Sequence, residues 1–209
     1  MILFLHAAAV SLAATQAGIG RLRRPLAARH ALVTDLVDPR AMNFAGDDVD
    51  YARIRSALVA HLRGGESRAV LSCSVYNAFA PRLSVDLDLP VERSDDAGAR
   101  GALEKGTRIG LAVSYPPSYA IVEAHLAQLA AERGVTPDIE PLLGGNAFAY
   151  AEDAERYARA LVEGAASATA LDVVFLAQFS MDPHAPRVGE ALAIPVVSAL
   201  EATLARIVD

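Results

Sequence analysis

Short apolar runs alternate along the chain with longer amphipathic stretches, which is typical of parallel strands separated by crossover helices. The runs are apolar at successive positions rather than at every second one, as expected for strands covered on both faces. The predicted strands are Ile2–His6, Ala31–Leu36, Ala69–Cys73, Thr107–Val113, Pro137–Leu142, Asp172–Ala177 and Ile194–Val197. The pattern therefore predicts an α/β protein with mainly parallel sheets.

Three of the stretches between these runs favour helices. Asp48–Arg63 and Tyr119–Arg133 carry apolar side chains about four residues apart, which places them on one helical face. Asp153–Glu163 is rich in Ala, Glu and Arg, which are good helix formers. We predict a helix at each of these places.

Landmarks in the first half of the chain recur about 105 residues later. The matched pairs are Ile2–Leu5 with Ile109–Ala112, Asp35–Val37 with Glu140–Leu142, Ala69–Cys73 with Val174–Gln178, and Leu89–Val91 with Ile194–Val196. The recurrence predicts two similar α/β halves, residues 1–93 and 94–198, each with a mainly parallel sheet flanked by helices. A C-terminal helix at 199–209 is expected to pack back on the first half. Ligands of open parallel sheets bind beyond the carboxyl ends of the strands, so we expect the active site in the cleft between the halves.

Composition narrows the classes of function. The 209 residues are 53% hydrophobic and 21% charged, which supports a folded core and excludes a disordered or collagen-like chain. The net charge of -6 has the wrong sign for a nonspecific partner of nucleic acid or of anionic membranes. The single cysteine excludes an intrachain disulfide framework and fits a reducing compartment. We therefore expect small molecules or proteins as partners.

The first twenty residues are apolar and rich in Ala, but we do not expect them to be a secretory signal. They lack the positively charged start of such a signal, and His6 interrupts the apolar run. Charged residues, Gly or Pro interrupt every other apolar stretch before it reaches the ~20 residues of a membrane span. The sequence therefore predicts a soluble, cytoplasmic protein.

Cys73 lies between a predicted strand and the polar turn that starts at Ser74, where the pattern indicates a helix N-terminus. Backbone N–H groups and the helix dipole at such a position favour a thiolate, so we expect the pKa of the thiol to fall below about 8.5. Such a thiol can act as a base or as a nucleophile. The alternative interpretation is a small buried side chain, which is common for an unpaired cysteine.

A hydroxyl-rich turn follows the strand that begins the second half. It contains Ser114, Tyr115 and Ser118, and Pro117 is well placed for the first turn of a helix. Hydroxyls and free N–H groups in such a turn suit a carboxylate or a phosphate. Ordinary helix capping by Ser118 is equally compatible with these residues.

Other polar residues near strand ends are Gln178, Phe179 and Ser180, with Gln178 expected opposite Cys73. Gln178 donates and accepts hydrogen bonds but does not exchange a proton near neutral pH. His6 and His184 are candidates for a second acid or base, because imidazole titrates near neutrality. We expect no metal, because the His, Cys, Asp and Glu residues do not have the spacing of metal ligands.

Two further features are expected to be structural. The pair Gly144-Gly145 lacks a dinucleotide fingerprint and is interpreted as a turn. An arginine cluster is interpreted as a solvated face, with contact to an anionic ligand as the alternative. Its members are Arg21, Arg23, Arg24 and Arg29.

Five segments in order cover nearly the whole chain and carry a likeness to a known family. They are Leu71–Ser74, Arg108–Ser114 with Pro117-Ser118, Gly145–Phe148, Asp172–Met181 and Ile194–Ser198. With them the chain resembles the aspartate/glutamate/hydantoin racemase superfamily, which includes maleate isomerase and arylmalonate decarboxylase. The resemblance implies two similar α/β halves with the active site between them. It also implies chemistry without a cofactor on a small carboxylate, and a homodimer, which members often form.

In typical racemases of this family, two cysteines act on opposite faces of the substrate α-carbon. Cys73 resembles the first cysteine, whereas Gln178 stands where the second is expected. In arylmalonate decarboxylase the single thiol is in the second half, so its substrate is not implied here. The resemblance and the strand-end pattern together give the expected substrate-binding residues as Ser74, Asn77, Ser114, Tyr115, Ser118, Gln178, Phe179 and Ser180.

Three hypotheses about function follow. The preferred one is proton transfer at a carbon acid, by an isomerase, racemase or decarboxylase type of enzyme, with Cys73 as acid, base or nucleophile. The second is an amino-acid or hydantoin racemase whose second base is not a cysteine. The third is a noncatalytic protein that binds small carboxylates.

Overall fold

Two four-stranded parallel sheets form the centre of the protein. The computed structural model describes residues 1–37, 44–142, 153–166 and 170–208. Within these ranges the strands are β1 (Ile2–His6), β2 (Ala28–Leu32), β3 (Arg68–Leu71), β4 (Val91–Arg93), β5 (Arg108–Ala112), β6 (Asp138–Pro141), β7 (Val173–Leu176) and β8 (Val196–Ser198). The sheets have the orders β2-β1-β3-β4 and β6-β5-β7-β8. The predicted α/β class and two similar halves are confirmed.

Helices flank both sheets in the described ranges. They are α1 (Ala9–Gly20), α2 (Asp48–His61), α3 (Ala80–Leu87), α4 (Asp96–Lys105), α5 (Ser118–Glu132), α6 (Ala154–Ala166), α7 (Ala185–Leu192) and α8 (Ala199–Val208). The helices predicted at Asp48–Arg63, Tyr119–Arg133 and Asp153–Glu163 correspond to α2, α5 and α6. None of the described helices has both the length and the hydropathy of a membrane span.

The strand registers show how the halves correspond. Ile2 of β1 pairs with Arg68 of β3, and Ile109 of β5 pairs with Val173 of β7. Pairing of β3 with β4 is likewise repeated by pairing of β7 with β8. Three of the four predicted landmark pairs therefore lie at equivalent places in the two sheets.

The fourth landmark pair is wrong. The partner of Ile2 in β2 is Ala28, and the partner of Ile109 in β6 is Ile139. Glu140 therefore corresponds to Arg29, not to Asp35.

The predicted strand Ala31–Leu36 is also displaced. The strand observed is Ala28–Leu32, and Thr34–Leu36 forms a short 3-10 helix. Arg29 enters the strand because its guanidinium binds the Glu66 carboxylate and the His61 carbonyl. Long-range partners of this kind offset the cost of placing polar side chains in a strand, and apolar periodicity does not register them. The other predicted strands agree with the structure to within about two residues at each end.

A continuous apolar core joins the two sheets. It includes Phe4 and Val70 from the first sheet and Ile109 and Phe175 from the second. Helices α1, α4, α5 and α8 contribute to the same core. A Cβ on Gly98 of α4 would lie 2.5 Å from the Phe175 ring and 2.9 Å from the Ala199 backbone. Close contact of α4 with β7 and α8 therefore holds the halves together.

Candidate active site

Two matching turns follow the central strands of the sheets. Cys73 precedes a 3-10 helix after β3, and Gln178 precedes a 3-10 helix after β7. Each turn leads into an eight-residue helix with Pro near its start. These helices, α3 and α7, both end at a left-handed residue, Asp88 and Ala193. Cys73 and Gln178 therefore occupy equivalent positions in the two halves.

The Gln178 side chain connects the two turns. Its Nε2 donates to Ser74 Oγ at 2.9 Å and to Ser118 Oγ at 3.3 Å. Its Oε1 accepts from the backbone N–H of Ser114 at 2.6 Å and from Ser114 Oγ at 2.7 Å. Ser74 Oγ in turn donates to Ser118 Oγ at 2.7 Å. The predicted residues Ser74, Ser114, Ser118 and Gln178 are thus brought together.

The backbone explains why these hydroxyls converge. Ser74 begins the turn after β3, Ser114 follows β5 by two residues, and Ser118 begins α5. The carboxyl ends of these strands therefore meet between the two halves, where the sequence predicts the cleft. Ser114 and Ser118 are fully buried and Gln178 is only 9% exposed, so the network is shielded from water. Buried polar groups are stable only when they are hydrogen-bonded, as these are.

Cys73 lies beside this network but has a different environment. It is partly exposed and packs against the apolar core of the first half. The backbone N–H groups of Val75 and Tyr76 donate to its sulfur, which favours the thiolate. Burial has the larger effect and raises the pKa of the thiol to about 12. The expected lowering of this pKa is therefore wrong for the structure, and Cys73 is a neutral thiol at physiological pH.

Solved structures that are similar to this fold include racemases and a decarboxylase. Glutamate racemase isoform RacE1 from Bacillus anthracis has a TM-score of 0.76 at 14% identity, over 100% of this chain and 80% of that one. Allantoin racemase from Pseudomonas fluorescens has a TM-score of 0.70 at 15% identity, covering 98% and 88%. Arylmalonate decarboxylase has a TM-score of 0.63 at 21% identity, covering 99% and 90%. The chain has the racemase fold. No protein-family model and no curated protein sequence matches it.

His6 is the last residue of β1 and is fully buried. Its Nδ1 is 2.8 Å from Ser72 Oγ, and its Nε2 is 3.0 Å from Nδ1 of His30. Burial, and secondarily the charge of His30, lower the pKa of His6 to about 3. Because both ring nitrogens have protein partners, His6 is poorly placed to act on a substrate. Ser72 and His30 were not predicted as site residues; the only signal was that Ser72 is adjacent to Cys73.

His184 lies at the end of the second turn. Its ring contacts that of Tyr157 edge to face, with centroids 5.0 Å apart. Burial, followed by the positive charge of Arg187, lowers its pKa. Tyr157 OH is 3.4 Å from Ser180 Oγ, so Ser180 and His184 both contact this tyrosine. Tyr157, which was missed from the sequence, connects α6 to the second turn.

The remaining predicted site residues are part of the packing. Asn77 is fully buried and donates from Nδ2 to Ser94 Oγ at 3.0 Å, which ties the first turn to the residue after β4. Tyr115 belongs to the apolar core of the first half, and Phe179 belongs to the core between the sheets. These contacts give the three side chains structural roles.

The arginine cluster does not form one surface. Arg29 is paired with Glu66, whereas Arg21 pairs with the buried Asp182 at 2.6 Å. A cavity of about 1050 Å³ lies between α1, α7 and α8, and it is lined by Arg21, Arg23 and Arg24 but not by Cys73. The predicted turn at Gly144-Gly145 and the segment Gly145–Phe148 lie outside the described residues. Within the ranges that are described, no group of three His, Cys, Asp or Glu side chains is arranged to hold a metal ion.

Proposed function

We propose that the protein catalyses proton transfer at a carbon acid, on a small carboxylate, with Cys73 as the proton-transferring group. The observation that carries this proposal is the position of the only thiol at the end of β3, beside a cluster of serine hydroxyls and the Ser114 N–H. Such donors are able to hold a carboxylate and to stabilise the enediolate formed when a proton or carbon dioxide leaves the α-carbon. The racemase fold, shared with proteins that carry out this type of chemistry, supports the proposal.

Cys73 is best suited to be a proton donor. A thiol with a pKa of about 12 is protonated at neutral pH, so it can deliver its proton to the α-carbon of an enediolate. The electron pair of the enediolate forms the new C–H bond, and the thiolate then regains a proton from water. A nucleophilic role requires the thiolate, which burial disfavours in this structure. Decarboxylation followed by protonation therefore fits better than isomerisation through a thiol adduct.

On the side opposite Cys73, none of the described residues that were predicted for the site supplies an equivalent proton carrier. Gln178 occupies that position, and an amide does not exchange protons near neutral pH. A positioned acid or base contributes about 10²- to 10⁴-fold in rate, which is ~3 to 5 kcal/mol of transition-state stabilisation. The placements of His6 and His184 do not supply the missing group. One-sided chemistry is therefore preferred to a two-base racemase.

A noncatalytic binder of small carboxylates is the second candidate. It is favoured by Gln178 at the position equivalent to Cys73, because an amide forms hydrogen bonds but does not exchange protons near neutral pH. The two candidates differ in what they require of Cys73. An enzyme needs the thiol, whereas a binding protein needs only the cleft.

Solvent deuterium distinguishes the candidates. Amino acids, hydantoins and 2-substituted malonates are incubated with the protein in D₂O, and α-deuterium is measured by mass spectrometry. We expect incorporation into at least one compound and a loss of at least about 10²-fold in Cys73→Ala. Ser56→Ala, at an exposed position of α2, is the matched control and should retain full activity. Undiminished incorporation in Cys73→Ala would remove the thiol from the mechanism, and no incorporation with intact ligand binding would favour the binder.

A further inference from the structure

We propose that the Gln178 carboxamide is a built-in occupant of the head-group site, so that a free carboxylate must displace it in order to bind. The site, here called the cradle, consists of the Ser114 N–H and the hydroxyls of Ser74, Ser114 and Ser118. The inference rests on the proposed function, because it concerns the same cleft. It identifies Gln178 as the residue that sets the affinity for the substrate head group.

The shape of the contacts supports occupancy by a head group. A primary carboxamide and a carboxylate are both planar and have nearly the same size. One edge of the Gln178 amide receives two donors, the Ser114 N–H at 2.6 Å and the Ser114 hydroxyl at 2.7 Å. A carboxylate oxygen in this place would accept the same two hydrogen bonds. The hydroxyls of Ser74 and Ser118 rotate, so they are able to accept from an amide or to donate to a second carboxylate oxygen.

The position of Gln178 in the chain makes this occupancy intramolecular. Its side chain reaches from the second turn to Ser74 of the first turn, and so closes the cleft from within. The amide is held by four hydrogen bonds in a site that excludes water. A competing ligand binds only to those molecules in which the cradle is empty. Its apparent affinity is therefore its intrinsic affinity multiplied by the fraction of such molecules. Removing the side chain should therefore uncover a binding site.

The test adds small molecules that correspond to the Gln178 side chain to a variant that lacks it. Gln178→Gly removes a fragment that propionamide replaces atom for atom, and propionate is its carboxylate counterpart. We expect both compounds to raise the melting temperature of Gln178→Gly, by about 4 °C at ten times the dissociation constant, and to leave the unsubstituted protein unchanged. Propanol, which lacks the planar head group, should have no such effect. Gln128→Gly, at an exposed position of α5, is the control variant and should respond to none of the compounds.

A second variant keeps the inference testable if the glycine variant does not fold. Gln178→Glu places a carboxylate in the cradle without changing the shape of the side chain. If the cradle accepts an anion, the new carboxyl has a pKa below its usual value of about 4.3, and its contribution to stability is retained at neutral pH and lost as the pH falls through that pKa. If the cradle only packs an amide, burial raises this pKa and stability falls as the pH rises above about 4.3.

The outcomes separate this inference from the proposed function, because none of these measurements requires turnover. Binding of propionate to Gln178→Gly supports the inference even if Cys73→Ala retains all deuterium incorporation. A glycine variant that binds neither propionamide nor propionate would overturn the inference. If that variant does not fold, a glutamate variant that loses stability with rising pH would do the same.

Discussion

The turn at Cys73 and the turn at Gln178 have the same backbone but different side-chain chemistry. Both are 3-10 helices that lead into short helices with Pro near their starts. The Cys73 side chain is too short to reach across the cleft, and packs against the core of its own half. The Gln178 side chain crosses the cleft and binds groups of both halves. Equivalent strand-end positions therefore carry a thiol in one half and a hydrogen-bonding amide in the other.

The residues next to these turns also differ between the halves, in their polarity. In the first half, His6 at the end of β1 is hydrogen-bonded to Ser72, the residue before Cys73. The strand registers place Val113 and Ala177 at the equivalent positions of the second half. Both are buried and apolar. A buried polar pair thus accompanies the thiol, whereas an apolar pair accompanies the glutamine.

The largest expected effect concerns the reactivity of the thiol. Because burial raises the pKa of Cys73 to about 12, its thiolate fraction at pH 8 is about 10³-fold lower than that of an unperturbed cysteine. We expect iodoacetamide to react with Cys73 slower than with N-acetylcysteine by about that factor, with a rate that rises about tenfold per pH unit up to pH 10 or above. Intact-protein mass spectrometry measures the reaction without background, because the chain has a single cysteine.

Urea-unfolded protein provides the control for this measurement. Its thiol is hydrated and should react at the rate of N-acetylcysteine. A native rate equal to the unfolded rate at pH 8 would show that the cleft does not desolvate Cys73, and the contrast with Gln178 would then lose its electrostatic part.

The sequence predicts the elements of the fold better than their contacts. Strand Ile2–His6 was predicted with its exact bounds, because five apolar or weakly polar residues occur together in a strand that is buried on both faces. Helix α1 was missed, since its Ala-rich segment is similarly apolar on every side and has no clear helical face. The edge strand β2 was displaced because Arg29 and His30 are stabilised by partners distant in sequence.

For the candidate site, too, the sequence predicts which residues are involved better than it predicts their contacts. Residue type and position after a strand are enough to select Ser74, Ser114, Ser118 and Gln178, all of which meet in the structure. The hydrogen bonds themselves join residues that are 44 to 104 positions apart, so no local pattern predicts them. The pKa of Cys73 was predicted in the wrong direction, because local N–H groups are visible in a sequence and burial is not.

The next effect concerns stability, and compares the two turns directly. We expect Gln178→Ala to lower the free energy of unfolding by ~2 to 3 kcal/mol, because it removes the partner of the buried Ser114 N–H and the hydrogen bonds of Gln178 to three serine hydroxyls. Cys73→Ala should cost only ~1 kcal/mol, since it removes one partly exposed atom that packs against the core. Urea denaturation at pH 7 measures both. Equal losses in the two variants would contradict the asymmetry of the turns, and Gln128→Ala should stay within ~0.5 kcal/mol of the original protein.

The smallest expected effect tests the polar pair of the first half. Burial lowers the pKa of His6 to about 3, whereas an unperturbed histidine has a pKa of 6.5. Below pH 6.5 the unfolded chain therefore binds a proton that the native protein does not bind. Stability therefore falls as the pH falls from 6.5 toward 3, by ~2 kcal/mol between pH 6.5 and pH 5 at 1.36 kcal/mol per unit. The lowered pKa of His30 acts in the same direction.

The double variant His6→Val with Ser72→Ala gives the first half the same apolar pair that Val113 and Ala177 form in the second half. This variant should lose this part of the pH dependence of stability, as measured by urea denaturation. An unchanged slope would mean that other groups cause the acid sensitivity, and that the polar pair is not what distinguishes the halves in their response to pH.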